Sequence, residues 1–120
     1  MADAGIMIRW GTPIAGRELK AVEVFMSHMQ WWNELKSSGK IEEFKTFGTL
    51  TGNFGTNSGF VLIEGSQRQM GELMASEDYR VRLNTVIACV DHLECELLET
   101  GDAMKSRMER YGKAVKQIVG

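Results

Sequence analysis

The chain of 120 residues has one proline, two cysteines, two histidines and no long apolar stretch. Each scarcity excludes something. Two cysteines do not build a disulfide framework, and Cys89 and Cys95, six apart, have neither a zinc nor a redox spacing. Both read as small buried apolar side chains, reduced in a cytoplasmic setting. No uninterrupted apolar run exceeds five residues, against the ~20 that a membrane helix needs. The opening Met1-Ala2-Asp3-Ala4-Gly5 lacks the basic start and apolar run of a signal peptide, so a cytoplasmic protein is expected. Charge of one sign is also lacking: 14 basic and 16 acidic side chains leave −2, and no global field draws in nucleic acid or an anionic membrane. His28 and His92 make neither an HxH nor an HxxxH pattern, so no metal site is expected.

What is present is an ordinary globular composition. With 43% apolar and 25% charged residues, the chain is too apolar for disorder and long enough for one domain with its own core. Eight methionines suit irregular cavities and adaptable surfaces.

Patterning divides the chain into eight elements. Ile6, Ile8 and Trp10 alternate with Met7 and Arg9, a strand over 5–10 that ends at Pro13. A helix is expected over 16–37, with Val22, Phe25, Met29 and Trp32 on its core face and Leu19 and Met26 beside them. A second stripe, Val24, His28, Trp31 and Leu35, reads as the opposite side, covered by another subunit or helix. Residues 40–51 read as a strand, with Phe44 and Phe47 out of phase, so a bulge between them is expected. Glycines 48, 52, 55 and 59 mark a mobile hairpin loop without phosphate-binding spacing. Phe60–Glu64 is apolar on both faces and reads as a central strand.

Ser66-x-x-Gln69 is a capping box, and Ser76 with Glu77 and Asp78 restarts the helix. Tyr79, Leu83, Val86, Ile87 and Val90 form its inner stripe. A strand follows over 92–99 with Leu93, Cys95 and Leu97 inward. The last helix, 102–119, carries Met104, Met108, Tyr111, Val115 and Ile118 on a narrow seam. Its five basic and two acidic groups give +3, against −5 elsewhere. With Tyr111 as its one aromatic residue it has no base-stacking platform, and packing on a partner or on the first helix is expected.

The order β-α-β-β-α-β plus a terminal helix is the split βαβ, ferredoxin-like plan: an α+β protein with a four-stranded antiparallel sheet, one domain over 1–120, with its core in 4–100. Helices can cover one face of that sheet. A second copy is the simplest cover for the other, so a homodimer or a higher homo-oligomer is expected.

In length, element order and the run from Ser76-Glu77-Asp78-Tyr79-Arg80 through Val90-Asp91-His92-Leu93-Glu94, residues 4–100 resemble the dimeric α+β barrel superfamily, and within it the small stand-alone proteins like the antibiotic-biosynthesis monooxygenases. The resemblance implies sheet-to-sheet dimers. It also implies a small cofactor-free monooxygenase or isomerase acting on a hydrophobic aromatic or polyketide-like compound, with no cofactor. A non-catalytic ligand-binding or oligomerisation module is the alternative, and haem binding through His28 or His92 ranks third. The haem-degrading branch uses an asparagine on the first strand, which this chain lacks.

Chemistry in such a pocket needs an apolar cavity and a proton acceptor. His28 and His92 are the candidate acid–base groups. Trp10, Phe25, Trp32, Phe60 and Tyr79 are the candidate pocket wall, with Phe47 beside them and Asn33 and Arg9 as polar contacts. Each also has a plain structural reading, as a core, turn or surface residue.

Overall fold

A computed structural model describes residues 2–119, so Met1 and Gly120, the ends of the expected 1–120 domain, lie outside it. The elements are β1 (Ala4–Trp10), α1 (Glu18–Ser37), β2 (Glu43–Gly48), β3 (Gly59–Gly65), α2 (Gln67–Ala75), α3 (Glu77–Ile87), β4 (Glu94–Glu99) and α4 (Gly101–Val119). The four strands form one sheet in the order β2-β3-β1-β4, antiparallel throughout. That order is the ferredoxin-like fold.

The central pair is β1 and β3, with Ile6 opposite Ile63 and Ile8 opposite Val61. These four side chains are buried and point to the helices. They meet Trp31, Trp32 and Leu35 of α1, Met70 and Leu73 of α2, and Tyr79 of α3 in one core. Ser66 caps α2 by accepting from the Gln69 amide (3.0 Å), and Gln69 Oε1 accepts from the Ser66 amide in return (2.7 Å). Gln69 Nε2 also donates to the Gly39 carbonyl (3.0 Å), tying α2 to the end of α1. Ser76 caps α3 through the Tyr79 amide, so the restart expected at Ser76 is present.

Four expectations need correction. In α1 the buried side chains are Val24, His28, Trp31, Trp32 and Leu35, whereas Leu19, Val22 and Met26 are exposed. At about 100° per residue the two stripes lie roughly a third of a turn apart, not opposite. The sheet and α3 take the arc from Trp31 to Trp32, which holds the whole second stripe and only the edge of the first.

No bulge interrupts β2: its register runs unbroken from Glu43 opposite Glu64 to Gly48 opposite Gly59. Phe44 points to the core, 5.8 Å from Trp32, and Phe47 to the other face, so both phases are used. Cys95 and Leu97 lie opposite Ile8 and Ile6 on the helix side but are exposed, because β4 is an edge strand that α3 reaches through Tyr79 without covering it. Finally, α4 has no buried residue, and of the two covers expected for its seam, α1 is not the one.

By alternation, Met7, Phe60, Leu62 and Leu98 project from the uncovered face of the sheet, where Phe47 stacks on Phe60 at 4.6 Å. No helix among the described residues is long and apolar enough to cross a membrane.

Candidate functional site

A cavity of about 340 Å³ lies between α1, α3 and the end of the sheet, at the small end of the range for ligand sites. Ile8 and Trp10 form its floor. Val24, Phe25, His28 and Trp32 come from α1, and Leu83 and Val86 from α3. One wall is made by chain that has no apolar period. Gly11 donates to the Asp91 carbonyl (2.8 Å), Asp91 to Thr12 (2.9 Å), and Ile14 to Cys89 (2.9 Å), so residues 11–14 run against 89–91 with Pro13 bridged to Val90. Gly11 permits this approach: a Cβ there would lie 2.8 Å from the Asp91 carbonyl oxygen and would also strike Gly55. The loop after β2 is held by the Ser58 amide, which donates to the Trp10 carbonyl (2.7 Å). Arg17 reaches across from the start of α1 to the Ala88 carbonyl.

His28 is the one buried side chain here that titrates near neutrality. Its Nδ1 lies 2.7 Å from the Val24 carbonyl oxygen. A carbonyl only accepts, so the neutral ring carries its proton on Nδ1 and leaves the lone pair on Nε2. Nε2 is buried without a hydrogen-bond partner, and so is the neighbouring Trp32 Nε1. A free acceptor and a free donor therefore stand on adjacent turns of one helix.

The His28 ring packs edge-on against Trp31 and tilted against Trp32, 5.9 Å from each. Burial, the largest influence, lowers its pKa below 6.5; the Val24 carbonyl pulls it up. The positive charge of Arg82 lowers it further, against smaller upward pulls from the Arg82 carbonyl and Asp78. The net effect favours the neutral ring over the imidazolium.

Of the residues expected at a site, the fold brings His28, Trp10, Phe25 and Trp32 together around the cavity. Trp10 meets Phe25 at 5.8 Å, and Phe25 meets Trp32 at 6.4 Å. The other four do not line it. His92 is exposed in the turn before β4, at φ 56°. Asn33 is exposed and donates to the Met29 carbonyl (3.1 Å). Phe60 stacks on Phe47 on the far side of the sheet.

Tyr79 lies in the core, its pKa pushed up to about 12, first by burial and then by the Cys95 thiol. Arg9 pairs with Glu94 and Glu96, away from the cavity. Leu83, Val86, Cys89 and Val90 were not expected as lining, although the stripe on α3 marked three of them as inward. Gly11, Pro13 and Ser58 carried no signal beyond turn composition. No cluster of three or more His, Cys, Asp or Glu among the described residues suits a metal ion.

No family model and no curated protein matches the sequence. Solved structures similar in shape include these two. SnoaB, a cofactor-independent oxygenase from Streptomyces nogalater, is 14% identical at a TM-score of 0.49, over 83% of this chain and 95% of that one. An uncharacterized NIPSNAP domain protein from Burkholderia xenovorans is 15% identical at a TM-score of 0.41, over 82% and 94%. The strand order and register establish the fold independently of these likenesses: the chain is a ferredoxin-like α+β protein with an apolar cavity beside a buried, neutral histidine.

Proposed function

We propose that the cavity binds a small hydrophobic, aromatic molecule and that His28 takes a proton from it, in a cofactor-free oxygenation or an isomerisation. The observation that carries this reading is a buried imidazole with an unpartnered Nε2 on the wall of an otherwise apolar cavity. Burying such a group without a partner is costly, and a ligand O–H or acidic C–H supplies the missing donor. In an isomerisation Nε2 returns the proton to a second carbon. In an oxygenation the ligand anion gives its electrons to dioxygen: a CH₂ becomes C=O, and one water leaves with the second oxygen atom. Trp32 Nε1, which also lacks a partner, is the donor we assign to the anion.

The test is native mass spectrometry of the purified protein for a co-purifying compound. It is followed by oxygen uptake and proton-exchange assays on aromatic carbon acids with wild type and His28→Ala. Turnover lost in the variant supports the reading. Retained turnover overturns it, and binding without turnover in either protein favours the second reading, a non-catalytic ligand module. That second reading draws on the same nearly unbroken apolar lining. Haem fits less well: His28 is flanked by two indoles at 5.9 Å, and His92 does not line the apolar cavity.

The reading includes a cytoplasmic homodimer, formed through the uncovered sheet face around Phe47, Phe60 and Leu62. Leu62→Glu is then expected to convert a dimer to a monomer in light scattering. A wild-type monomer at micromolar concentration overturns this part.

A further inference from the structure

A proton taken inside the cavity has to leave it. The lining offers almost no polar group to carry the proton, and an imidazolium held among apolar side chains is unfavourable. On the outer side of α1 and α3 lies a second recess of about 460 Å³, and only Val24 and His28 border both spaces. This cleft is charged, with Lys20 and Glu23 from α1 and Asp78 and Arg82 from α3. Lys20 pairs with Glu23 at 3.6 Å, and Arg82 with Asp78 at 3.3 Å. The Arg82 guanidinium lies 4.6 Å over the ring of Trp31, the same indole that meets the edge of His28. His28 and Arg82 are therefore held on one aromatic platform, and Asp78 offsets the charge of Arg82. On the cavity side the lining carries no charged side chain, with Ile8 and Trp10 of the sheet as its floor.

We propose that the α1–α3 cleft is the proton outlet of the apolar cavity, with Asp78 and Arg82 as positioning residues that balance the charge felt by His28. The proposal rests on the reading of His28 as the base of the cavity. In the step, the ligand O–H or C–H bond breaks, an Nε2–H bond forms, and the ligand remains as an anion. The Nε2 proton then passes to water in the cleft and the lone pair is restored. The other ring proton stays on Nδ1, donated to the Val24 carbonyl throughout, and no electron changes hands. Because Asp78 and Arg82 have opposite charges, losing either one unbalances His28 in opposite directions.

The test uses ligand-free full-length protein, so it is independent of whether any substrate is turned over. The His28 ring is titrated by NMR in wild type, Asp78→Asn, Arg82→Gln and Arg82→Lys, with far-UV circular dichroism confirming the fold of each. Asp78→Asn is expected to move the midpoint to lower pH, Arg82→Gln to higher pH, and Arg82→Lys to restore it toward wild type. Exchange of the imidazole protons with solvent is then compared between Thr85→Trp, which fills the cleft, and Val22→Trp, which fills the cavity mouth. Slower exchange in the cleft variant alone supports the outlet. Slower exchange in the cavity variant alone, equal exchange in both, or midpoints that do not move in opposite directions, overturns it. These results stand even if no ligand is found, whereas turnover without them would leave His28 as the base and remove the outlet.

Discussion

Helices α1 and α4 have 20 and 19 residues, and both repeat apolar side chains at helical spacing. Five side chains of α1 are buried and none of α4. Position in the chain explains the contrast. α1 follows the first strand and folds onto a sheet with a free face, with α3 arriving beside it. α4 follows the last strand, when the helix layer is already filled. Its Met108 and Tyr111 remain 54% and 64% exposed. A periodic apolar stripe therefore reports that a face seeks cover, and only the remaining topology says whether the protomer provides it.

The sharpest way to break this comparison is to empty the α1 side. Trp32 is 3% exposed and touches Phe25, His28 and Phe44. Trp32→Ala is expected to cost about 3–5 kcal/mol of unfolding free energy, read by urea denaturation. A loss under about 1 kcal/mol would mean that α1 is not the anchor of this core.

The same contrast shows how far residue patterns reach. The strand order followed from element order and from the two-sided apolar character of β1 and β3, and the caps at Ser66 and Ser76 were written in short motifs. The inward face of α1 was not, because its apolar arc is wide and periodicity alone does not say which part meets the sheet. For the site, the aromatic trio Trp10, Phe25 and Trp32 was legible, and His28 was named although its stripe was read as outward. The pairing of residues 11–14 with 89–91 is made by backbone hydrogen bonds, which leave no side-chain pattern to read. Phe60 and Tyr79 were taken for pocket residues because an aromatic side chain on a sheet or helix does not declare its face until the register is known.

The second prediction uses the burial of His28. Its folded pKa is lowered from 6.5, so well above that pH the ring is neutral in both states and adds no pH dependence to stability. As pH falls through 6.5 the unfolded chain binds a proton that the folded one refuses, and stability falls until the folded pKa is passed. His28→Leu removes the titration. Wild type is expected to lose more stability than the variant between pH 7 and 5, in paired thermal or urea melts. Parallel curves would contradict the buried, neutral ring.

The other histidine is expected to behave differently. His92 is exposed and holds a left-handed conformation at φ 56°, which is unfavourable for a side chain with a Cβ. His92→Gly should stabilise the protein by up to about 1 kcal/mol, the relief being partly offset by a more flexible unfolded chain. Ligand binding and turnover should be unchanged, since His92 does not line the cavity. A loss of activity in His92→Gly would place the acid–base chemistry at the turn instead of in α1.

The smallest expected effect is on α4, and it separates the two helices most directly. Glu99 faces Arg107 and Arg110 at 3.7 and 3.5 Å, surface pairs that contribute roughly 0–1 kcal/mol. Most of the other side chains of the helix are exposed. Met108→Lys places a charge in the middle of the seam and should change the unfolding free energy of the protomer by no more than about 0.5 kcal/mol, as is usual for exposed sites. The measurement is a urea titration at two protein concentrations. A small, concentration-independent change means the seam is as bare in solution as it is in the protomer. A loss above about 2 kcal/mol that grows with protein concentration means a second copy covers it, because a charge buried without a partner is the one mechanism here that costs so much. In that case α1 and α4 obey the same rule after all, one stripe satisfied within the chain and the other between chains.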